Sequence, residues 1–206
     1  MGRHTEAKCK LCRREKEKLF LKGDKCFSEK CPVVRRAYPP GQHGKTQRVR
    51  ISEYGIRLRE KQKARRIYGL TERQFEGYFD KASKGKGATG DKLLEFLERR
   101  LDNVVFRLGF AASRQSARQI VHHGGVLVNG RKVDVPSFQV SADDQIKFSL
   151  KIVPLVKAMI EKSPDHTPPA WLVRSGAEEG KMASIPKREE IDAALEDHLI
   201  VEYYSR

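Results

Sequence analysis

All four cysteines of this 206-residue chain fall between residues 9 and 31, as Cys9-x2-Cys12, thirteen residues, then Cys26-x4-Cys31. Two pairs at this spacing let two loops each offer two thiolates to one tetrahedral ion, and the surrounding stretch can build little core unaided. In a reducing compartment such a cluster argues for a bound metal over disulfides. Zinc is the default ion, while a 4Fe-4S cluster suits the same four thiolates and the spacing does not separate the two. Four thiolates around divalent zinc leave excess negative charge, which Lys8, Lys10, Arg13, Arg14, Lys25 and Lys30 are placed to offset. Because the set closes the coordination shell, where catalytic zinc keeps a position open, the predicted role is structural: the ion substitutes for missing core.

Charge restricts the partner. The chain carries 42 Lys and Arg against 27 Asp and Glu, a formal +15, which favours a polyanion because each neutralised phosphate releases condensed counterions. The excess is concentrated at the N-terminal end, with 15 basic and 5 acidic residues in 1–50 but 8 and 10 in 151–206. No apolar run approaches the roughly 20 residues that span a bilayer, and Gly2-Arg3-His4-Thr5-Glu6 lacks the features of a signal peptide. The expectation is a cytoplasmic protein with no membrane partner.

Tyr38-Pro39-Pro40-Gly41-Gln42-His43-Gly44 breaks any helix, so residues 1 to about 50 are predicted to be irregular. Ser52 to Tyr68 has helical spacing, with cations including Arg57, Lys61, Arg65 and Arg66 over most of its surface. Thr71-Glu72-Arg73-Gln74 matches a capping box and predicts a second helix. After a basic loop at 84–90, Asp91 is predicted to cap one long helix carrying Leu93, Leu94, Leu97, Leu101, Val104, Val105 and Leu108. Ser113 is predicted to cap a shorter helix ending at Gly124-Gly125, with Arg114, Arg118 and His122 four apart along one face and able to reach successive phosphates. Val126-Leu127-Val128, Asn129-Gly130 and Arg131-Lys132-Val133 predict a two-residue hairpin. Gln145 to Leu150 alternates as a further strand, and residues 163–169 connect to an acidic helix expected near 187–199.

Three catalytic readings fail on context. A deaminase zinc site needs Pro-Cys-x-x-Cys after its His-x-Glu, and Lys8 stands before Cys9 where that proline belongs. Gly85-Lys86-Gly87-Ala88-Thr89-Gly90 matches G-x-G-x-x-G in form, but it follows a helix, and Asp91-Lys92 stands where a phosphate loop has Lys then Ser or Thr. His122 and His123 have no nucleophile with a plausible base nearby in sequence and suit phosphate contact or helix termination. Candidate polyanion-binding residues, most of them basic, instead recur in three elements. These comprise an N-terminal set with Arg13, Arg14, Arg35, Arg36, Gln42, Lys45, Arg48 and Arg50; the Arg57–Arg66 helix; and the face of Ser113, Arg114 and Arg118. Tyr38, His43, Phe27 and Tyr68 lie among the cations, where aromatic rings stack on unpaired bases or pack locally.

Cys9-Lys-Leu-Cys12-Arg-Arg-Glu, Leu19-Phe-Leu-Lys-Gly23, Tyr38-Pro-Pro-Gly-Gln-His-Gly44, Leu97-Glu-Arg-Arg-Leu-Asp-Asn-Val104, Ser113-Arg114 and Val128-Asn-Gly130 together resemble the bacterial small-subunit ribosomal protein four family (uS4) along nearly the whole chain. The resemblance implies an α+β protein. Its parts are a metal-stabilised N-terminal segment (1–45), a helical domain (46–96), an inserted RNA-binding module of helices and antiparallel sheet (97–160), and a segment (161–206) returning to the helical domain. It implies no catalysis and no small-molecule substrate. It further implies early binding to small-subunit ribosomal RNA, nucleation of the subunit body, and a place beside small-subunit protein five near the messenger entry channel, where the family affects decoding accuracy. Some members repress their own messenger, which adds messenger RNA to the implied partners. Arg114, Arg118 and His123 carry over as RNA contacts of the module. The module also occurs in pseudouridine synthases and tyrosyl-tRNA synthetases, so an RNA-modifying enzyme is one rival; the stretch after residue 160 is too short for a catalytic domain. A metal-dependent nucleic-acid-binding regulator is the other, separable by comparing structured RNA with duplex DNA at fixed salt.

Overall fold

Residues 7–46, 50–163, 166–176, 178–192 and 194–205 are described by a computed structural model. The chain divides into two compact units, one of Met1–Gly90 with Ala194–Arg206 and one of Asp91–Ala193.

In the first unit, three short helices stand where the sequence predicts irregular chain: α1 (Lys8–Glu15), α2 (Asp24–Phe27) and α3 (Pro32–Arg35). Local signals explain their brevity. Lys16 leaves α1 in the left-handed conformation at φ 60° and returns its N–H to the Arg13 carbonyl, while Pro32 supplies the preset φ that opens α3. Helix α4 (Glu53–Ile67) starts where Ser52 Oγ accepts the Gly55 N–H at 3.2 Å. Helix α5 (Glu72–Ser83) opens on the expected capping box, with Thr71 and Gln74 exchanging bonds of 3.2 and 3.4 Å.

The second unit begins in α6 (Thr89–Glu98) and α7 (Leu101–Arg107), where the sequence predicts a single helix. The break has a visible cause. Arg100 is extended, and the strand-like stretch at 136–140 bonds to the gap: Leu101 N–H donates to the Phe138 carbonyl at 2.9 Å and Val140 N–H to the Arg99 carbonyl at 2.9 Å. The apolar stripe survives the break, since Leu93, Leu94, Leu97, Leu101, Val104, Val105 and Leu108 are all buried. Asp91 lies in the first turn of α6, inside the helix it was expected to cap.

Helix α8 (Arg114–His122) carries its expected cap, with Ser113 Oγ accepting the Ser116 N–H at 3.2 Å. Strands β1 (Val126–Val128) and β2 (Arg131–Lys132) flank Asn129 and Gly130 at φ 50° and 79°, the backbone of the predicted hairpin turn. Beyond β3 (Gln145–Phe148) come elements the sequence reading lacks: α9 (Val153–Lys162), β4 (Leu172–Arg174) and β5 (Glu179–Met182). The antiparallel sheet runs β2-β1-β3-β5-β4, with Val126 opposite Phe148 and Ile146 opposite Gly180. Gly180 permits close approach, because a Cβ there would sit 2.7 Å from Leu108 Cδ1. Trp171, Leu172 and Met182 join the core of Leu101, Val105, Phe110 and Ile146, so this unit runs on to residue 193 where the sequence predicts a limit of 160.

The expected helix at 187–199 is replaced by a 3₁₀ turn (Arg188–Glu190), an extended Ile191 and then α10 (Asp197–Tyr204). The chain leaves one unit for the other at 193–194, inside the span where that helix was expected. Helix α10 packs on α4 in the first unit, where Ile200, Ala64, Phe75 and Ala82 are buried. The α+β class is borne out.

Candidate nucleic-acid interface

The cysteines occupy three elements. Cys9 and Cys12 share a face of α1, Cys26 lies in α2, and Cys31 precedes α3; all four line one cavity of about 10 Å³ together with Lys8, Lys22 and Lys25. Cys12, Cys26 and Cys31 are buried and Cys9 half-buried, all as free thiols. The Lys22 backbone N–H points at Cys26 Sγ at 3.4 Å. Burial pushes the Cys12 thiol up, as do the neighbouring cysteines, against a lowering hydrogen bond from the Leu19 backbone. As they stand, no three His, Cys, Asp or Glu side chains among the described residues are arranged to hold a metal ion. The donor set nonetheless suits one: four soft ligands line a space about the size of a single water, and the Lys22 and Leu19 backbone N–H groups reach Cys26 and Cys12.

Beside it opens a cavity of about 310 Å³ lined by Ala7, Cys9, Lys10, Arg13, Lys25, Lys30, Pro32, Arg35 and Arg36, six cations without a carboxylate. Arg13 is fixed in place. Its Nε donates to the Tyr38 carbonyl at 3.0 Å and its guanidinium lies 4.8 Å from the Tyr38 ring centroid, with Lys45 Nζ at 5.4 Å. The segment from Tyr38 to Gly44 is therefore tied to α1 through Tyr38, and Gln42 and His43 within it are exposed. Arg14 and Arg50 are exposed, and Arg48 lies outside the described residues.

The cations of α4 are differently employed. Arg57 pairs with Glu202 at 2.6 Å, Lys61 and Arg65 with Glu72, Lys63 with Glu17 at 2.8 Å, and both Arg59 and Arg66 with Glu15. Lys61 Nζ also lies 4.4 Å from the Tyr203 ring, and Tyr204 donates to Glu72 at 3.2 Å. A face read from the sequence as one of three RNA-facing basic elements thus binds α1, α5 and α10 to α4. Burial raises the Glu15 carboxyl above its ordinary range although Arg66 and Arg59 stand beside it, and burial lowers Arg66. At this pair desolvation outweighs attraction.

Arg114 and Arg118 are half-buried in a polar network. Arg100 sets a two-pronged contact on Asp102 at 3.1 and 2.8 Å, and Arg118 donates to the same carboxylate at 3.1 Å. Asn103 donates to Glu98 at 2.6 Å and accepts from Arg114 Nε at 2.7 Å, while Arg114 lies 4.6 Å from the Phe106 ring. Both guanidinium groups are held in set positions, and Ser113 serves as the helix cap. His122 and His123 are exposed at the end of α8. Arg131 and Lys132, which sequence reasoning omits from the interface, are exposed on the hairpin with no ion pair among the described residues. Lys132 crosses Gly124, where a Cβ would collide with it, so the hairpin cations stand over the end of α8. The Asn-Gly turn is the signal that places them there.

Residues 3–98 match the Ribosomal protein S4/S9 N-terminal domain and residues 99–146 the S4 domain, a division that coincides with the break between α6 and α7. The chain is 55% identical over 207 residues to small ribosomal subunit protein uS4 of Dictyoglomus turgidum, covering the whole of both chains. The chain belongs to the uS4 family. Full-length identity is 54% to the uS4 of Desulforamulus reducens and 54% to that of Syntrophomonas wolfei subsp. wolfei. In uS4 terms the fixed guanidiniums of Arg114 and Arg118 lie in the S4 domain, whereas the six-cation cavity lies in the S4/S9 N-terminal domain.

Proposed function

We propose that this chain is a structural constituent of the small subunit of the cytoplasmic ribosome, that it binds small-subunit ribosomal RNA directly, and that it catalyses no reaction. The carrying observation is the cavity lined by Lys10, Arg13, Lys25, Lys30, Arg35 and Arg36. Small-molecule pockets are mostly apolar with a few polar groups, whereas six cations and no carboxylate suit a phosphate backbone. Full-length identity of 53–55% to proteins named small ribosomal subunit protein uS4 supports the same reading. Two cationic surfaces in separate units favour a folded RNA over a single strand, consistent with early binding that nucleates the subunit body. The proposal extends to a place beside protein five at the messenger entry channel, with an effect on decoding accuracy and contact with messenger RNA, as the family resemblance implies.

Zinc on Cys9, Cys12, Cys26 and Cys31 completes the proposal, supported by the convergence of the four thiols on one small cavity. The ion supplies a cross-link among α1, α2 and α3, and the chain's cations offset the thiolate charge. Elemental analysis of purified protein tests the metal: about one zinc per chain is expected, and iron with sulfide would assign the cluster instead. Footprinting on small-subunit ribosomal RNA tests the binding, with local backbone protection expected. Absence of protection where the protein is saturating would refute it.

A further inference from the structure

Phe20 and Phe27 lie outside the hydrophobic core with 41% and 75% of their surfaces exposed, yet they contact each other, with ring centroids 5.1 Å apart and planes tilted by 33°. Phe20 holds a left-handed φ of 49°, unusual for a bulky residue. The turn places Leu19 inward and Phe20 outward. It needs only a left-handed residue, which Gly or Asn adopts more easily, so the phenyl ring is explained by what it faces. Lys25 and Lys30 bracket Phe27 in sequence and both line the six-cation cavity. Of the nearby acids, Glu17 is engaged by Lys63, leaving Asp24 and Glu29 against Lys16, Lys18, Lys22, Lys25 and Lys30.

We propose that Phe20 and Phe27 form a stacking platform for one unpaired base of the RNA, whose flanking phosphate lies against Lys25 and Lys30. This rests on the RNA-binding reading above. A π face tolerates any base, and the adjoining cations supply the backbone contact that a lone aromatic pair lacks. No groove or partner helix is required, only a nucleotide looped out beside the cavity.

The test uses full-length protein as purified and a transcript of the 5′ domain of small-subunit ribosomal RNA. Phe27→Ala, at an exposed position, and Phe20→Gly, which relieves the left-handed backbone, both keep the fold. Each should weaken binding by about 5- to 150-fold. The slope of log affinity against log salt should stay unchanged, because no cation is removed. Phe27→Trp should retain affinity and show quenched emission on binding, readable against Trp171, which is buried. Variants that bind within about twofold of wild type, with no quenching of Phe27→Trp, would overturn the platform. Normal RNA binding but faulty incorporation into subunits would overturn it too, assigning the pair to a protein neighbour. Wild type failing to bind the transcript would instead refute the parent reading.

Discussion

Glu98 offers the sharpest energetic test of the second unit. Its carboxylate is fully buried, accepts from Arg107 at 3.1 and 2.9 Å and from Asn103 at 2.6 Å, and through Asn103 sets the amide that receives Arg114. Glu98→Ala leaves the Arg107 guanidinium, only partly exposed, without this carboxylate. Removing one partner of a buried pair costs about 3–5 kcal/mol, and the access of Arg107 to solvent argues for the lower end, about 3 kcal/mol. At about 4–8 °C per kcal/mol for a unit near 100 residues, the midpoint should fall by roughly 12–24 °C. Trp171, the sole tryptophan and buried within this unit, gives the signal in urea or thermal unfolding. Glu98→Gln should be nearly as damaging, because its amide N–H groups face the Arg107 donors. A loss below about 1 kcal/mol in Glu98→Ala would show that the network is solvated and would refute the argument.

Three further outcomes are expected. Metal removal should open residues 7–46 to proteolysis while Trp171 emission stays native, because that segment has no apolar stripe; an unchanged digest after verified chelation would count against the metal's structural role. Burial acts to raise Glu72, but Lys61, Arg65 and Tyr204 together hold its carboxyl below the ordinary value. Its stabilising contribution is therefore present above about pH 4.5 and lost as pH falls through the folded value, so Glu72→Gln should flatten the acid limb of the stability profile in urea titrations at several pH values. Lys132→Ala and Arg131→Ala should each make the log-affinity versus log-salt slope for ribosomal RNA shallower by up to about one unit, and an unaltered slope would remove the hairpin from the interface.

Where local chemistry decides structure, the sequence is readable. The Thr71 capping box, the Ser113 cap and the Asn129-Gly130 turn all stand as predicted, because each depends on residues within three positions of one another. The break at Arg99–Arg100 and the strand β5 escape such reasoning, since their partners lie more than 30 positions away in Phe138, Val140 and β3, and β4 enters the sheet only through β5. The same distinction governs the interface. Cationic helices announce themselves, but whether a cation faces solvent depends on distant carboxylates: Glu15 and Glu202 engage Arg66 and Arg57, and Asp102 engages Arg118. Lys10, Lys25, Lys30, Arg35 and Arg36, which have no ion pair among the described residues, form the exposed anion-facing group.

Competition between the 5′-domain transcript and a scrambled RNA of equal length at one fixed salt concentration addresses the whole account most directly. Surfaces fitted to folded RNA predict a preference of about a thousandfold, the low end of what separates specific from charge-driven binding. Equal affinity for the two RNAs would mean that the positive charge acts alone and that the arrangement of guanidiniums and rings described above confers no recognition.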